Sequence, residues 1–280
     1  MQTHQRHIPY ASRAAYFNIY FLGDIHLGVT HCDEELLKAT IEHIRKDGRA
    51  IVFLMGDICD AILPKDKRFE SGLVAEWVDP SNVLGSQVKE AAKMLKPIAG
   101  KVVGILDGNH EEKVKKDQSY RIKRELIDRM ADAGFIWQDL SYSALVRLLF
   151  TWRAKDTAHT TSLTLYLHHG WGGGRGDATN QYKDMMASYE ADWFVFGHTH
   201  KRYVMDELYF KLNRAGNLIE TRRMCGRSGT YLRTVDKGDE ASYGEQKGYR
   251  PTPRGCLCIK YYPHPDQQGN PRLWSWINDI

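Results

Sequence analysis

The chain has little cysteine: five residues in 280, an odd number, with no CxxC pair of the zinc-ribbon type. These residues are Cys32, Cys59, Cys225, Cys256 and Cys258. So few cysteines in a chain of this length make a disulfide framework unexpected, and this usage predicts a reducing, cytoplasmic setting. Cys256 and Cys258 are two residues apart, a spacing that favours one face of a strand over a metal site.

Long apolar runs are also missing from the sequence. No stretch approaches the ~20 apolar residues of a membrane-spanning helix. Residues 1–23 contain no apolar region of the length found in secretory signals. Residues 16–22 are apolar over the length of a strand and lead directly to Asp24. We therefore expect a soluble protein without a membrane span.

The net charge is small, because 39 Lys and Arg residues stand against 35 Asp and Glu residues, a difference of +4. This balance excludes an acidic solvating tail and gives little support to a strongly basic protein that coats nucleic acid. The 24 Gly and 9 Pro residues, with 9 Phe, 7 Trp and 15 Tyr, exclude collagen-like and disordered classes. Histidine is the residue that stands out: the chain has 12, several of them beside Gly, Asp or Asn.

The first two-thirds of the chain alternate short apolar runs with helical patterns. The predicted strands cover 17–22, 50–55 and 101–106, and the predicted helices cover 33–46, 83–95 and 120–133. Strands that alternate with helices are typical of an α/β domain with a largely parallel sheet.

The rest of the chain is rich in predicted strands. They cover 143–152, 162–168, 193–196, 203–210, 218–224, 256–262 and 273–277, with one helix over 180–189. No Pro-, Ser- or Gly-rich linker divides the chain, so we expect two sheets packed together in a single domain over 1–280. The polar, Gly-rich stretch 235–253 is expected to form a flexible surface loop.

A polar cluster follows each of five predicted strands. The clusters are Gly23-Asp24-Ile25-His26, Gly56-Asp57-Ile58-Cys59-Asp60, Gly108-Asn109-His110-Glu111, His168-His169-Gly170 and Gly197-His198-Thr199-His200. Ligands of parallel α/β sheets bind beyond the carboxyl ends of the strands, so we expect these clusters to converge in space.

Their residue types suit divalent metals. Carboxylates, imidazoles and a carboxamide oxygen are ligands for ions such as Mn²⁺, Fe²⁺ or Zn²⁺. The spacing of Asp24 and His26 lets both approach one ion from a turn, while His198 and His200 could reach two different ions. The Asp57 carboxylate could bridge both ions. Paired ions of this kind support in-line attack at phosphorus.

Each cluster has an alternative interpretation. A Gly-Asp pair after a strand also forms tight turns, and Asn109 after Gly108 could be a turn residue. His168 could be a core histidine on an alternating strand. Gly-His-Thr-His is harder to explain in this way, and the occurrence of all five clusters after predicted strands favours one shared site.

In order, the clusters read Asp-x-His, Gly-Asp-x-x-Asp, Gly-Asn-His-Glu, His-Gly and Gly-His-x-His, and they run from Asp24 to His200. This series resembles the signature of the calcineurin-like metallophosphoesterases. The resemblance implies two packed mixed β-sheets flanked by helices, a four-layer sandwich. It also implies hydrolysis of a phosphate ester by a hydroxide held between two divalent ions, with Mn²⁺ favoured and Fe²⁺, Zn²⁺ or Ni²⁺ as alternatives.

The resemblance further implies a role for each residue. One ion would be held by Asp24, His26, Asp57 and His200. The second would be held by Asp57, Asn109, His169 and His198. His110 would face the scissile phosphate, stabilising charge or protonating the leaving oxygen. Family pattern favours His169 over His168 as the ligand, and His168 and Asp60 would then support the ligands from outside.

Two further features bear on the substrate. The glycine-rich segment 171–177 follows His169, and its Arg175 is either a phosphate clamp or part of a flexible turn. Basic residues cluster after the third motif: Lys113, Lys115, Lys116, Arg121, Lys123 and Arg124. They could track a phosphate backbone, but interleaved acidic residues favour a solvated helical face.

Three functions remain open. The favoured one is hydrolysis of a phosphodiester in nucleic acid or a nucleotide. The alternatives are a phosphomonoesterase or pyrophosphatase acting on a small molecule or phosphoprotein, and, more remotely, a non-catalytic binding scaffold. The oligomeric state is not readable from the sequence.

Overall fold

Two mixed β-sheets pack face to face in the computed structural model, and helices lie on both outer faces. The structure describes residues 1–66, 69, 71–154, 157–172, 179–213, 215–235, 248, 250–264 and 272–277. This architecture confirms the predicted fold class of two packed mixed sheets flanked by helices.

The first sheet has seven strands. They are β2 (Phe17–Leu22), β3 (Ala50–Leu54), β4 (Val102–Ile105), β5 (Gln138–Asp139), β11 (Gly229–Thr230), β12 (Gly255–Tyr262) and β13 (Arg272–Ile277). Their order is β11-β12-β2-β3-β4-β5, and β13 pairs with β12. Strands β2 to β5 run parallel, whereas β12 is antiparallel to β2.

The second sheet has six strands. They are β1 (Gln2–Tyr10), β6 (Ser143–Ala154), β7 (Thr157–His168), β8 (Trp193–Phe196), β9 (Val204–Leu212) and β10 (Leu218–Arg227). Their order is β1-β6-β7-β8-β10-β9. Strand β9 therefore ends this sheet, and β13 of the other sheet approaches it.

Helices connect these strands. They are α1 (Glu34–Lys46), α2 (Val83–Leu95), α3 (Asn109–Gln118), α4 (Ile122–Asp132) and α5 (Thr179–Ser188). Two short 3-10 helices cover Ser71–Leu73 and Lys96–Lys101. Helix α1 begins after Asp33, whose carboxylate accepts a hydrogen bond from the Leu36 N–H at 3.1 Å.

Alternation along the strands separates the layers of the core. Ile19 and Phe21 of β2 pack between the two sheets, whereas Tyr20 and Leu22 pack against the helical layer of α1, α2 and α4. Successive side chains of a strand point to opposite faces, so both faces of β2 must be covered. On the far side of the six-stranded sheet, α5 covers a third apolar cluster that includes Phe194.

Most predicted elements are present, and several have the predicted bounds. The prediction missed β1, α3 and the short strands β5 and β11. Helix α3 has one buried apolar residue, Val114, so it lacks an apolar stripe. Strand β1 is mostly polar and half-exposed. No helix among the described residues is long and apolar enough to cross a membrane.

The cysteines lie as the sequence predicts. All five are free and buried. Cys256 and Cys258 share one face of β12 and pack against the helical layer. Of the predicted loop 235–253, residues 236–247 and 249 lie outside the described part of the chain.

Candidate metal centre

The carboxyl ends of five strands meet at one edge of the sandwich, and a candidate ligand follows each of them. Asp24 follows β2, Asp57 follows β3, and Asn109 begins α3 after β4. His169 follows β7 and His198 follows β8. The structure thus brings the five polar clusters of the sequence together, as their positions after the strands predict.

One group of potential ligands consists of Asp24, His26 and His200. The Nε2 atoms of His26 and His200 are 3.1 Å apart. His200 Nε2 lies 3.7 Å from Asp24 Oδ1, and His26 Nε2 lies 3.8 Å from Asp57 Oδ2. Four side chains on three loops therefore direct donor atoms into one small volume.

A second group consists of Asp57, His169 and His198, with Asn109 beside them. His169 Nε2 lies 3.3 Å from Asp57 Oδ2 and 3.1 Å from Asn109 Oδ1. The same Asn109 oxygen lies 2.6 Å from His198 Nδ1. Because Asp57 Oδ2 is close to both His26 and His169, the Asp57 carboxylate lies between the two groups.

The backbone at these ligands is left-handed. Positive φ angles occur at Asp24 (49°), His26 (52°), Asp57 (50°), His198 (71°) and His200 (55°). Each non-glycine residue in this region costs about 1–2 kcal/mol. Backbone hydrogen bonds hold the first two loops together, since the Ile25 and His26 N–H groups both donate to the Asp57 carbonyl oxygen at 2.9 and 3.0 Å.

Neighbouring groups fix the orientation of three histidine rings. His26 Nδ1 lies 3.3 Å from Asp60 Oδ1, and His169 Nδ1 lies 2.8 Å from the Met55 carbonyl oxygen. His198 Nε2 lies 2.6 Å from the Gly172 carbonyl oxygen. A ring N–H that donates to oxygen leaves the other nitrogen as an electron-pair donor, which here faces the centre.

His110 lies beside the first group. Its ring centroid is 4.6 Å from that of His26, and its Nδ1 contacts the Asp60 carbonyl oxygen. Its backbone N–H donates to Asp57 Oδ1 at 2.9 Å. Asp60 thus contacts both His26 and His110, and these three side chains form a further group of potential ligands.

The two neighbouring histidines lie in different surroundings. His169 is fully buried in the centre, whereas His168 packs against Phe196 and Trp171 on the other side. His168 Nδ1 accepts a hydrogen bond from the Gly170 N–H at 2.7 Å. Burial, with the nearby His169, lowers the pKa of His168 to about 4. Arg175, the candidate phosphate clamp, lies outside the described residues.

Glu111 has a role that the sequence analysis missed. Its buried carboxylate accepts hydrogen bonds from three backbone N–H groups, those of Asp57 (2.9 Å), Ile58 (2.8 Å) and Gly108 (2.9 Å). A Cβ atom at Gly108 would lie 2.0 Å from Asp57 Oδ1, so only glycine fits there. Glu111 is the third residue of α3, where a glutamate typically caps the helix, and that spacing was the available signal.

Residues of β10 and β11 also support the site without a signal in the sequence. The buried Arg227 guanidinium donates to the Gly197 carbonyl oxygen (3.0 Å) and to Gln181 Oε1 (2.7 Å). Thr230 Oγ1 donates to the Asp24 carbonyl oxygen at 2.8 Å. These contacts hold the loops after β2 and β8 against the sheets.

Burial acts on the pKa of both aspartates, with opposite net results. It raises the pKa of Asp24 to about 6. Burial acts in the same direction on Asp57, but the imidazoles of His169 and His110 outweigh it and hold the pKa of Asp57 well below its usual value. Burial would lower the pKa of His169, yet the facing Asp57 carboxylate raises it to about 10. Buried carboxylates surrounded by imidazole nitrogens and an amide oxygen are a donor set that fits a divalent cation.

A cleft of about 480 Å³ opens beside this centre. It is lined by Asn109, Glu112, Lys113, Lys116 and Tyr142. Asn109 is followed by Glu112 and Lys113 three and four residues later, and Lys116 comes three residues after Lys113, so one face of α3 forms a wall of the cleft. Lys113 Nζ lies 2.6 Å from Asp66 Oδ2. The face therefore leads from the candidate ligand Asn109 to two ammonium groups.

Solved structures with a similar chain trace include proteins described as phosphoesterases. A conserved protein from Streptococcus pneumoniae TIGR4, described as a predicted phosphoesterase, is 12% identical, with a TM-score of 0.32 over 94% of this chain and 99% of that chain. A metallophosphoesterase from Sphaerobacter thermophilus is 12% identical, with a TM-score of 0.36 over 80% and 81% of the two chains. Vps29 from Entamoeba histolytica, complexed with Zn²⁺, is 12% identical, with a TM-score of 0.38 over 92% and 99%.

None of the curated proteins matches this chain in sequence. A family model does: the model described as calcineurin-like phosphoesterase matches residues 17–202. That span contains all five clusters, from Asp24 to His200, and it covers well over half of the chain. The chain therefore belongs to the calcineurin-like phosphoesterase family.

Proposed function

We propose that the chain is a phosphoesterase that depends on two divalent ions and that hydrolyses a phosphodiester in nucleic acid or a nucleotide. The dependence on two ions is supported by the position of the Asp57 carboxylate. Its Oδ2 atom lies 3.8 Å from His26 Nε2 and 3.3 Å from His169 Nε2, between two groups of donor atoms. Mn²⁺ is the favoured ion, with Fe²⁺, Zn²⁺ and Ni²⁺ as alternatives.

The residues divide between holding and assisting. Asp24, His26 and His200 would hold one ion and Asn109, His169 and His198 the other, and Asp57 would contribute to both. When bound, the two ions lower the pKa of water and neutralise charge on the phosphate oxygens. The ring contacts to Asp60, Met55 and Gly172 keep these donor atoms directed at the ions.

His110 assists at the phosphate. Its Nδ1 contacts the Asp60 carbonyl oxygen, so its proton is held on that nitrogen and the ring is fixed in orientation. The other ring nitrogen is then the atom that stabilises charge on the phosphate or protonates the leaving oxygen. Its backbone N–H contact with Asp57 ties this ring to the candidate bridging carboxylate.

The cleft beside Asn109 supports the diester substrate. With the scissile phosphate at the ions, a strand with neighbouring phosphates would continue along the α3 face to Lys113 and Lys116. A small monoester has no second phosphate to place there. Charge contacts with a phosphate backbone are the general source of affinity for nucleic acid.

Turnover of bis-p-nitrophenyl phosphate and p-nitrophenyl phosphate in Mn²⁺ tests the reaction class. We expect faster turnover of the diester. Faster turnover of the monoester would favour the phosphomonoesterase alternative. If the metal-loaded protein turned over neither substrate, the result would contradict the proposed enzymatic activity and favour a binding scaffold.

Substitution of Lys116 tests whether the substrate is a polynucleotide whose neighbouring phosphates contact α3. We expect Lys116→Glu to raise the KM for an oligonucleotide by roughly tenfold, because one phosphate contact becomes repulsive. The KM for bis-p-nitrophenyl phosphate, which has a single phosphate, should change by less than about twofold. Lys38→Glu on α1, outside the cleft lining, is the matched control. Equal effects of both variants on the oligonucleotide would contradict a phosphate path along α3.

A further inference from the structure

The hairpin of β9 and β10 exposes an apolar face. Nine large apolar side chains are exposed among the described residues, and four of them lie on this hairpin. They are Leu208 (47% exposed), Phe210 (61%), Leu212 (68%) and Leu218 (68%). The first three alternate along β9, and Leu218 pairs directly with Leu212, so all four share one face. An apolar patch of this kind on a soluble domain marks an interaction surface.

The hairpin also extends beyond its sheet. Strand β8 pairs only with Met224–Arg227 of β10, so residues 218–223 have β9 as their sole strand partner among the described residues. On its other side β9 is paired with no described strand. Strand β13 of the seven-stranded sheet approaches β9 without pairing with it, so the backbone donors and acceptors on this edge of β9 are available to a further strand.

The hydrogen-bonding pattern fixes which residues of β9 face that edge. The Asn213 N–H donates to the Asn217 carbonyl oxygen at 2.9 Å, so these two residues form a hydrogen-bonded pair at the end of the hairpin. Antiparallel ladders alternate strictly from such a pair. The odd-numbered residues of β9 therefore bond to β10. The backbone N–H and C=O groups of Leu208 and Phe210 then point to the open edge.

We infer that β9 pairs antiparallel with β9 of a second copy of this chain, about a two-fold axis at Tyr209. In this register Leu208 lies opposite Phe210 of the second copy, and both present edge-facing backbone groups, as a hydrogen-bonded pair requires. On the other face Glu207 lies opposite Lys211 of the second copy, and by symmetry this pair occurs twice. The two six-stranded sheets then continue across the dimer.

The sequence of β9 favours this register over the two registers in which the two-fold axis is shifted by one residue. Centred on Tyr209, the register places Glu207 opposite Lys211 on one face and Leu208 opposite Phe210 on the other, with Asp206 opposite Leu212 at each end. Centred on Leu208, it would place Glu207 opposite Tyr209 and Lys211 opposite Met205. Centred on Phe210, it would place Glu207 opposite Asn213 and Lys211 opposite Tyr209, so in both shifted registers Glu207 and Lys211 lose each other as partners. Cross-strand pairs of opposite charge and of apolar side chains are the units that stabilise a sheet. The isologous symmetry closes the assembly at two copies.

Sedimentation equilibrium of the full chain tests the assembly. We expect a species of twice the monomer mass of 32.2 kDa at micromolar concentrations. Glu207→Lys or Lys211→Glu should each raise the dissociation constant by roughly tenfold, since two attractive pairs become repulsive. The double variant with both changes should restore the dimer. A monomer at all concentrations, or a dimer unaffected by the single reversals, would overturn the inference.

A crosslink tests the register. Tyr209→Cys places two thiols opposite each other across the axis in a pair whose Cα atoms are about 4.5 Å apart, within the range for a disulfide. We expect it to form a covalent dimer on mild oxidation, while Glu207→Cys, which faces Lys211 of the second copy, does not. The five natural cysteines are buried and give no background. Crosslinking at Glu207→Cys but not at Tyr209→Cys would exclude this register.

Discussion

At the scale of single residues, Asp57 is the candidate ligand that lies between both groups of donor atoms. Its two carboxylate oxygens have separate contacts: Oδ1 accepts from the His110 N–H, and Oδ2 faces the imidazoles of His26 and His169. A side chain that bridges two cations needs a negative charge, which the carboxamide of asparagine lacks.

We therefore expect Asp57→Asn to reduce the bound Mn²⁺ from two ions per chain to at most one, measured by elemental analysis after dialysis. Asp60→Asn is the matched control, because Asp60 contacts the His26 ring from outside and should leave two ions at saturating Mn²⁺. Two tightly bound ions in Asp57→Asn would refute the bridging role.

His110 is expected to act on the reaction without holding metal. His110→Ala should keep the metal content and lower kcat by about 10²–10⁴-fold, the usual contribution of a positioned acid or base. His159→Ala, on β7, serves as the control histidine substitution. Loss of metal in His110→Ala would show that this residue is a ligand.

At the scale of elements, α3 joins the chemistry to the fold. Its first residue, Asn109, faces His169 and His198, while Glu111 two residues later binds the backbone of the loop after β3. The same helix then forms the wall of the cleft. A shift of α3 would therefore displace a ligand, a loop and the cleft together.

We expect Glu111→Ala to lower the free energy of unfolding by about 3–5 kcal/mol, because three backbone N–H groups lose a buried acceptor. Glu112→Ala, the next residue on the same helix, should change it by less than about 0.5 kcal/mol. Urea unfolding of both variants measures the difference. Similar losses would mean that the Glu111 carboxylate adds no stability of its own.

The elements also show what the sequence can and cannot predict. Strands such as β2 and β8 were predictable because their apolar residues are buried on both faces. Helix α3 was not, since its residues bind loops and line a cleft rather than pack a core. The convergence of the five clusters followed from their positions after the strands, and the contact of Glu111 with Gly108 has a local capping signal. The contacts of Glu111 with the backbone of Asp57 and Ile58 join residues distant in sequence, and no local pattern encodes them. The same holds for the contact of Arg227 with the backbone of Gly197.

At the scale of the whole molecule, the centre joins the two sheets. Asp24, Asp57 and Asn109 follow strands of the seven-stranded sheet, whereas His169 and His198 follow strands of the six-stranded sheet. An ion bound by both sets crosslinks the halves of the sandwich, in addition to the apolar core between them.

Metal removal should therefore destabilise the entire domain. Each ion at a concentration 100 times its Kd adds about 2.7 kcal/mol, so we expect Mn²⁺ to raise the Tm above that in EDTA by roughly 5–15 °C. Differential scanning calorimetry measures the shift, and it should be halved in Asp57→Asn. An equal Tm with and without Mn²⁺ would indicate that the folded protein holds no ion.

The left-handed backbone at Asp24, His26, Asp57, His198 and His200 has a consequence for selection experiments. Glycine adopts this conformation without a steric penalty, and it also removes a buried ionisable group. In a library screened for heat resistance in the absence of metal, glycine should therefore be enriched at Asp24, His198 and His200, where burial shifts the pKa against the charged form. It should not be enriched at Asp57, where the facing imidazoles hold the pKa well below its usual value and so stabilise the carboxylate. Such a screen would select for the loss of side chains that we propose as ion ligands, and thermal stability would then rise as the proposed activity is lost.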